Sequence, residues 1–228
     1  MQRITVPRSG SPRVVPLTVD EVRRLAEVMP SRGRPMVIAQ AGLGLRLGEL
    51  LGLQVDDDDF LRRVVKVRRQ LARDTTGLVP CTTPRSVRDV PLPVVVADAL
   101  TSHLSEFPST SGFVFTAARG RAGWQMDYTN RFSRPAVNSS GLPAGTTTYD
   151  LRHHYASVLL SAGESVVAVA ERLGHENATL VLTTYGHLLP DSEERTRRAL
   201  DEACCAPGVP QDDGNVADLR ERARISGS

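Results

Sequence analysis

The chain has 228 residues, of which 40% are hydrophobic, so it can bury one sizeable core but hardly two full domains. Its formal net charge is only +2, yet residues 1–90 carry 16 basic and 10 acidic side chains, whereas residues 190–228 carry 6 basic and 9 acidic ones. Cys81, Cys204 and Cys205 form neither a disulfide framework nor a CxxC metal pair, and no apolar stretch is long enough to cross a bilayer. We therefore expect a cytoplasmic protein whose basic front suits a phosphate-bearing partner, although many solvated surfaces share that charge.

The amino-terminal part of the chain predicts helices that are separated by a glycine turn. Residues 1–16 are basic, contain Pro and Gly and have no apolar signal segment, so we expect a flexible, non-exported start. Thr18-Val19-Asp20-Glu21 is a capping box, in which the hydroxyl and the carboxylate satisfy the first free amides of a helix. A second apolar run, Met36 to Leu43, is interrupted by Gly42 and Gly44, and Arg46 then falls at the start of a third helix.

The next stretch predicts a small antiparallel sheet. Val64 to Val67 is rich in β-branched residues, which favour a strand. Arg73 to Ser86 is rich in Gly, Thr and Pro and predicts a loop, and apolar alternation resumes from Val87 to Leu92. We therefore expect two strands joined by a long loop, packed on a helical domain.

The second half of the chain predicts a succession of helices. Apolar residues recur at helical spacing after Pro93, and further helices are expected at about 128–139, 150–162, 165–173, 178–185 and 191–203. Gly163 and Gly174 suit left-handed caps at helix ends. Residues 206–228 combine Pro, Gly and Asp with little apolar content, so we expect a disordered tail. The whole pattern predicts a mainly α fold with a small antiparallel β-sheet (α+β), ordered over residues 17–205.

Three short motifs in this half carry chemistry: Tyr149-Asp150-Leu151-Arg152, then Leu173-Gly174-His175, then Tyr185. Tyr149 and Arg152 are three residues apart, so on a helix both side chains lie on one face. Taken singly, each motif has an ordinary structural explanation: a surface arginine, a histidine that closes a helix, and an aromatic ring on an apolar face. Together they place an arginine, a histidine and a tyrosine in an order that suits attack on a phosphate.

This order and spacing, with Arg46-x-Gly48-Glu49-Leu50 about a hundred residues upstream, resembles the tyrosine recombinase (phage integrase) family. The family pattern is an early arginine box, a late His-x-x-Arg box, a Leu-Gly-His and a tyrosine about ten residues further on. The resemblance implies that Arg46 and Arg152 are the two phosphate-binding arginines and that Tyr185 is the nucleophile. It also implies that His175 is the histidine of the late box and that Glu49 orients the first arginine.

The resemblance further implies a site-specific DNA recombinase or integrase catalytic domain. Tyr185 would cut one strand of double-stranded DNA, form a 3′-phosphotyrosyl bond and free a 5′-hydroxyl, and an incoming 5′-hydroxyl would reverse the step. Bond energy is conserved, so neither a cofactor nor a metal is expected. The implied partners are double-stranded DNA and further copies of the chain in a tetrameric synapse, at the nucleoid if the source is a prokaryote.

The sequence departs from the family pattern at several places. The lysine that protonates the leaving 5′-oxygen falls on Thr82, which cannot act as an ammonium acid. Lys66 lies on the preceding strand, and Tyr149 occupies the slot that usually holds histidine or lysine. Arg85 and Arg88 are candidate DNA-binding residues. Only about sixteen residues precede the expected domain, where the family usually has a DNA-clamping domain, so we expect a fragment or a truncated relative.

The sequence leaves two other functions open. Asp56-Asp57-Asp58-Asp59 offers four carboxylates, which Mg²⁺ favours, so a metal-dependent nuclease is one of them. A solvated turn explains these residues better, because no His or Glu cluster accompanies them. The second is a degenerate recombinase that holds DNA or another protomer without cutting, as Thr82 suggests. The helix from Asp191 to Ala203 could pack on its own domain or on a neighbouring protomer.

Overall fold

This computed structural model describes residues 14–72, 77–117, 125–189 and 193–204, which form mainly α-helices and a small amount of antiparallel β structure. The predicted mainly helical fold with a small antiparallel sheet is therefore confirmed. Most of the expected flexible start (1–16) and the whole expected tail (206–228) lie outside the described residues. Across the described ranges, none of the helices combines the length and the apolar character that a membrane span requires.

The elements are named here in chain order. The α-helices of the described residues are α1 (Val19–Val28), α2 (Arg34–Leu43), α3 (Leu47–Leu51), α4 (Val94–Glu106), α5 (Gln125–Tyr128), α6 (Arg134–Ser139), α7 (Thr148–Ser161), α8 (Val166–Leu173), α9 (Ala178–Tyr185) and α10 (Glu193–Cys204). The strands are β1 (Asp58–Asp59), β2 (Val64–Val67), β3 (Arg69–Leu71), β4 (Leu78–Pro80) and β5 (Arg88–Pro91).

Helix α1 begins where the sequence predicts, and α3 begins directly after Arg46, as expected. The Glu21 amide donates to Thr18 Oγ1 at 3.2 Å and the Thr18 amide donates to Glu21 Oε2 at 2.7 Å, which is the predicted capping box of α1. Helix α2 ends at Gly44, whose φ of +63° places it in the left-handed region. Its amide donates to Gln40 O, and two residues later Arg46 is the N-cap of α3. The turn between α2 and α3 thus sets the position of Arg46.

Two separate ladders make up the β structure. Strands β1, β2 and β5 form one antiparallel sheet in that order, in which Val65 pairs with Val90. The prediction that residues 73–86 form a loop is wrong in part, because β4 (Leu78–Pro80) pairs with β3 (Arg69–Leu71). All three residues of β4 are exposed, so backbone pairing forms this strand without any apolar alternation that the sequence could reveal.

Two groups of buried apolar side chains hold the helices together. The larger group joins α1, α2 and α4 to the sheet and includes Leu43 and Val65. The smaller group joins α7, α8 and α9 and includes Val169 and Tyr185. Helix α7 packs against both α2 and α8, so the side chains on α7 lie between the two groups.

Residues from Asp191 onward belong to a second compact unit, of which the structure describes α10. The helix predicted at 191–203 is found at Glu193–Cys204. Two ion pairs at i,i+4 spacing run along it, Arg197 with Glu193 and Arg198 with Glu202. Such pairs stabilise a helix by only about 0.3–0.5 kcal/mol each.

The turn that positions Arg46 depends on the left-handed conformation of Gly44. A Cβ at Gly44 would lie 2.3 Å from Tyr155 Cδ1, and the φ of +63° is strained for any side chain. We expect Gly44→Ala to lower the free energy of unfolding by about 3 kcal/mol, since a left-handed alanine costs about 1–2 kcal/mol and overpacking about 1–3 kcal/mol.

Gly141→Ala is the matched control, because Gly141 has a φ of +69° and nothing within 4 Å of the added Cβ. Gly141→Ala should lower the free energy of unfolding only by the cost of a left-handed alanine, about 1–2 kcal/mol. Urea unfolding of both variants measures the difference, and equal losses would show that the Tyr155 ring yields without cost.

Candidate active site

The last turn of α8 collects three arginines from three different elements. Consecutive carbonyl oxygens each face one guanidinium: Arg88 Nε donates to Arg172 O at 2.7 Å, Arg152 Nη2 donates to Leu173 O, and Arg46 Nη2 donates to Gly174 O at 3.4 Å. Gly174 caps the helix with a φ of +66°, as predicted. Because free carbonyls make the carboxyl end of a helix negative, this turn attracts cations, and it brings together residues that are more than a hundred positions apart.

Glu49 holds two of these arginines through a buried carboxylate. Glu49 Oε1 accepts from Arg46 Nη1 at 2.7 Å, and Arg88 reaches both oxygens with Nη1 at 3.1 Å and Nη2 at 2.9 Å. Burial acts to raise the pKa of Glu49, but the hydrogen bond from Arg88 and the charges of Arg88 and Arg46 outweigh it and lower that pKa. Glu49 is therefore anionic at neutral pH and pairs with both guanidinium groups.

Arg152 lies in the interior between α2 and α8. Its side chain is only 1% exposed, and Nη1 donates to Gly44 O at 2.6 Å. Its Nε atom is buried and has no hydrogen-bond partner among the described residues. Burial, followed by the positive charge of Arg46, lowers the pKa of Arg152, yet the guanidinium stays protonated at neutral pH. The interior thus holds a cation with one unused donor.

His175 follows Gly174 directly and lines an open cleft of about 700 Å³. The cleft is also lined by Arg46, Thr82, Tyr149, Leu180 and Thr183. Burial first, and then the charges of Arg152 and Arg46, lower the pKa of His175 to about 4. The ring is therefore neutral at pH 7, and its buried Nε2 has no partner within the described part of the chain.

Tyr185 ends α9 and is buried rather than half-exposed. Its side chain is 2% exposed, and its hydroxyl lies 2.6 Å from His153 Nδ1. Burial raises the pKa of the phenol to about 12. The His153 ring lies edge-on between Tyr149 and Tyr185, with ring centroids 4.7 and 5.5 Å away. Sequence reasoning missed His153, although its place next to Arg152 and four residues after Tyr149 is a usable signal.

The predicted lysine position lies at the same cleft. Thr82 is exposed in the segment after β4, and its Oγ1 accepts a hydrogen bond from Gln70 Nε2 at 2.9 Å. Lys66 is on β2, with its Nζ 3.8 Å from Asp59 Oδ2. Arg85 is exposed in the turn before β5 and lines a neighbouring cleft. Of the predicted site residues, Arg46, Thr82, Tyr149 and His175 line one cleft, whereas Arg152 and Tyr185 are buried next to it.

Arg88 does not have the exposure that the predicted DNA contact requires. Its side chain is 4% exposed, and its donors go to both oxygens of Glu49, to Ser86 O and to Arg172 O. Arg88 lies on β5, which α8 covers. Its observed role is to fix Glu49 and, through Glu49, Arg46.

The four consecutive aspartates point in different directions. Asp57 is buried and pairs with Arg69 Nη2 at 2.9 Å, and Asp59 lies beside Lys66. Both carboxylate oxygens of Asp58 are buried and have no hydrogen-bond partner in the described part of the chain. Burial, followed by the charge of Asp57, raises the pKa of Asp58 to about 7. Over the described ranges, no three His, Cys, Asp or Glu side chains come together as a metal site would require. The arrangement gives the metal-nuclease hypothesis no support.

Glu49→Gln tests whether the buried ion pairs hold the site. We expect the free energy of unfolding at pH 7 to fall by about 3–5 kcal/mol, because Arg88 would stay buried without its counter-charge. The contribution of Glu49 is fully present above the pKa of about 4.3 of an unfolded glutamate and is lost as pH falls through the lower folded value, so the two proteins should converge at acid pH. Urea unfolding between pH 3 and pH 7 measures this.

Glu27→Gln is the matched control, because Glu27 is exposed on α1 and should change the free energy of unfolding by no more than about 0.5 kcal/mol. A Glu49→Gln loss no larger than that of the control would contradict the assigned role.

Comparison with known proteins places this geometry in a family. The sequence profile of the phage integrase family matches residues 16–191. The chain is 33% identical to the tyrosine recombinase XerA of Thermococcus kodakarensis over 174 residues, which are 73% of this chain and 56% of that protein. The Tn1549 transposon integrase, solved in complex with transposon right end DNA, is similar with a TM-score of 0.68 and 26% identity over 84% of this chain and 66% of that chain.

A third likeness concerns the fold alone. The catalytic domain of bacteriophage HP1 integrase matches with a TM-score of 0.57 and 19% identity, over 85% of this chain and 98% of that chain. The present chain spans about half the length of the curated relatives it matches. The profile match covers most of the chain, and the resemblance predicted from the motifs is confirmed. The chain belongs to the phage integrase family of tyrosine recombinases.

Proposed function

We propose that this chain is the catalytic domain, at residues 17–205, of a site-specific recombinase that cuts and rejoins double-stranded DNA through a 3′-phosphotyrosyl intermediate on Tyr185. The observation that carries the proposal is the convergence of Arg46, Arg152 and His175 at the end of α8. Membership of the phage integrase family supports it, as does the similar Tn1549 integrase that was solved in complex with DNA.

The site offers donors to a phosphodiester. Attack on phosphorus builds negative charge on the non-bridging oxygens, and fixed guanidinium and imidazole donors stabilise that charge. Arg152 Nε and His175 Nε2 are buried without a partner among the described residues, and a buried unpaired polar atom costs about 1–3 kcal/mol. A phosphate oxygen would remove that cost, so the unpaired atoms favour an anionic ligand here.

The nucleophile needs a conformational step in this proposal. Tyr185 is 2% exposed, and a pKa of about 12 leaves only about one phenol in 10⁵ ionised at pH 7. Burial of Tyr185 and Arg152 keeps them from solvent while no DNA is bound. We infer that DNA binding moves the end of α9 so that the phenol reaches the phosphate, as in other enzymes whose sites are completed by substrate.

The chain acts as a homo-oligomer in this proposal. Exchange between two duplexes requires four strand cuts, and each copy supplies one Tyr185. Four copies on DNA therefore account for a complete reaction, which agrees with the tetrameric synapse that the family resemblance implies.

Covalent capture tests the proposed function. Incubation with a pool of nicked duplexes of random sequence should yield a DNA adduct that survives denaturing electrophoresis, because the fragment beyond the cut diffuses away and traps the phosphotyrosine. Tyr185→Phe should abolish the adduct, and EDTA should leave it unchanged, since the phenol replaces a metal-bound water as nucleophile.

Tyr149→Phe is the matched control, since Tyr149 is 48% exposed at the cleft and carries the same phenol. This variant should still form the adduct. An adduct that persists in Tyr185→Phe but disappears in Tyr149→Phe would show that Tyr149 is the nucleophile and would contradict the assignment of Tyr185. DNA cutting that EDTA abolishes and that leaves no adduct would favour a metal-dependent nuclease.

Thr82→Lys tests the missing acid. We expect the variant to form the adduct about a hundredfold faster than the parent on an ordinary 5′-oxygen substrate, because an ammonium group can protonate the leaving oxygen. In a substrate with sulfur in the bridging 5′ position, the leaving thiolate needs no proton. The rate of adduct formation on that substrate should therefore differ by less than about threefold between Thr82→Lys and the parent. Both rates are measured by single-turnover reactions, resolved on denaturing gels, with a duplex that the covalent-capture experiment has recovered from the random pool.

Thr83→Lys adds the same charge one residue further on at the same cleft. Equal acceleration by both variants, or equal acceleration on oxygen and sulfur substrates, would indicate general attraction of DNA and would contradict a leaving-group role for position 82.

A further inference from the structure

His153 lies against the reacting atom of the proposed nucleophile. The Tyr185 hydroxyl is 2.6 Å from His153 Nδ1, at the end of α9 and in the middle of α7. The His153 ring is half-buried, and the Tyr149 ring meets it edge-on from the cleft side. A neutral imidazole accepts through one nitrogen and donates through the other, so Nδ1 accepts the phenol proton when Nε2 carries the ring proton.

The other histidines of the chain have different partners. His154 Nδ1 bonds to Leu17 O at 2.6 Å, His187 Nε2 to Val14 O at 3.0 Å, and His103 Nε2 to Val114 O at 3.1 Å. Because a carbonyl only accepts, the ring nitrogen in each of these contacts is a donor. His175 has a pKa of about 4 and is therefore a weak base.

The carboxylate whose charge acts on His153 also has another role. Asp150 Oδ2 accepts from the Thr147 amide at 2.7 Å and from Thr147 Oγ1 at 2.9 Å, so it caps α7. The charged groups that act on His153 are Asp150 and Arg152, and the titratable side chains in ring contact with it are Tyr149 and Tyr185. Among these groups, only the imidazole is both in contact with the phenol and able to take up its proton near neutral pH.

We propose that His153 is a catalytic residue that accepts the proton of Tyr185 during strand cutting and returns a proton to it during rejoining. This inference rests on the proposed function. In cutting, the O–H bond of Tyr185 breaks and its proton moves to His153 Nδ1 while the phenol oxygen bonds to phosphorus. The bond from phosphorus to the 5′-oxygen breaks, and that oxygen takes a proton from solvent water. The imidazolium then releases its proton to solvent, so the step transfers one proton in total.

The electrostatics agree with this role. Burial, opposed by Asp150 and reinforced by Arg152, lowers the pKa of His153, so the ring is neutral at pH 7. Below that pKa, Nδ1 carries a proton and cannot accept another. The cutting rate of the parent should therefore level off above about pH 6.5 and fall as the pH drops below the His153 pKa.

His153→Asn separates hydrogen bonding from proton transfer, because the amide oxygen can accept a hydrogen bond at the position of Nδ1 but takes up no proton near neutral pH. Single-turnover adduct formation is measured on a captured duplex with sulfur in the bridging 5′ position, which removes the leaving-group step. We expect a loss of about a hundredfold at pH 7, and a rate that then rises about tenfold per pH unit between pH 6 and 9 as phenolate forms.

Each outcome has a distinct meaning. A His153→Asn rate within threefold of the parent, with the same pH profile, would overturn the role of His153 and leave the proposed function intact. If the parent forms no Tyr185 adduct on either oxygen or sulfur substrates, the proposed function fails, and this inference fails with it.

A second measurement needs neither DNA nor a His153 variant. Phenol donation to Nδ1 stabilises the neutral imidazole, so Tyr185→Phe should raise the pKa of His153, as followed by NMR titration of the ring. Tyr149→Phe, which removes a phenol that meets the ring only edge-on, is the control and should leave it unchanged. An unchanged His153 pKa in Tyr185→Phe would show that the hydrogen bond does not form in solution and would overturn the inference.

Discussion

The arrangement of this site depends on three consecutive carbonyl groups at the end of α8. Each accepts a hydrogen bond from a different arginine, and these arginines come from the start of α3, from β5 and from α7. On folding, the carbonyls and the buried guanidinium groups lose their hydration, and without these partners no hydrogen bond would compensate for that loss. The end of α8 therefore determines where Arg46, Arg88 and Arg152 come together.

Glu49 determines how much positive charge this cluster presents. It is shared by Arg46 and Arg88, whereas Arg152 makes its bonds to the neutral carbonyls of Gly44 and Leu173. The site therefore keeps a net positive charge although it contains a buried carboxylate. Burial first, and then that charge, lower the pKa of His175 and keep the imidazole neutral. A permanent cation and a neutral donor suit an anion better than a metal ion.

The same interior keeps Tyr185, the proposed nucleophile, away from solvent. Burial raises the pKa of Tyr185, and the charge of Arg152 only partly offsets this effect. The phenol bonds to His153 in the apolar group between α7, α8 and α9. In the proposed function, activation of Tyr185 requires movement of the end of α9 and a proton acceptor, in addition to the arginines. On that proposal the tyrosine stays unreactive until DNA is bound.

Local sequence determined the features whose cause is local. The capping box of α1, the left-handed Gly163 and Gly174, the β-branched run of β2 and the motif order that identifies the family all depend on neighbouring residues, and the structure has them where they were predicted. Tertiary structure alone decided the rest. Strand β4 exists through backbone pairing with β3, Arg88 is buried because α8 covers β5, and His153 meets Tyr185 because α7 and α9 share a core. These contacts join residues up to 84 positions apart. The periodicity of one segment does not reveal which distant group will hydrogen-bond to a buried polar atom.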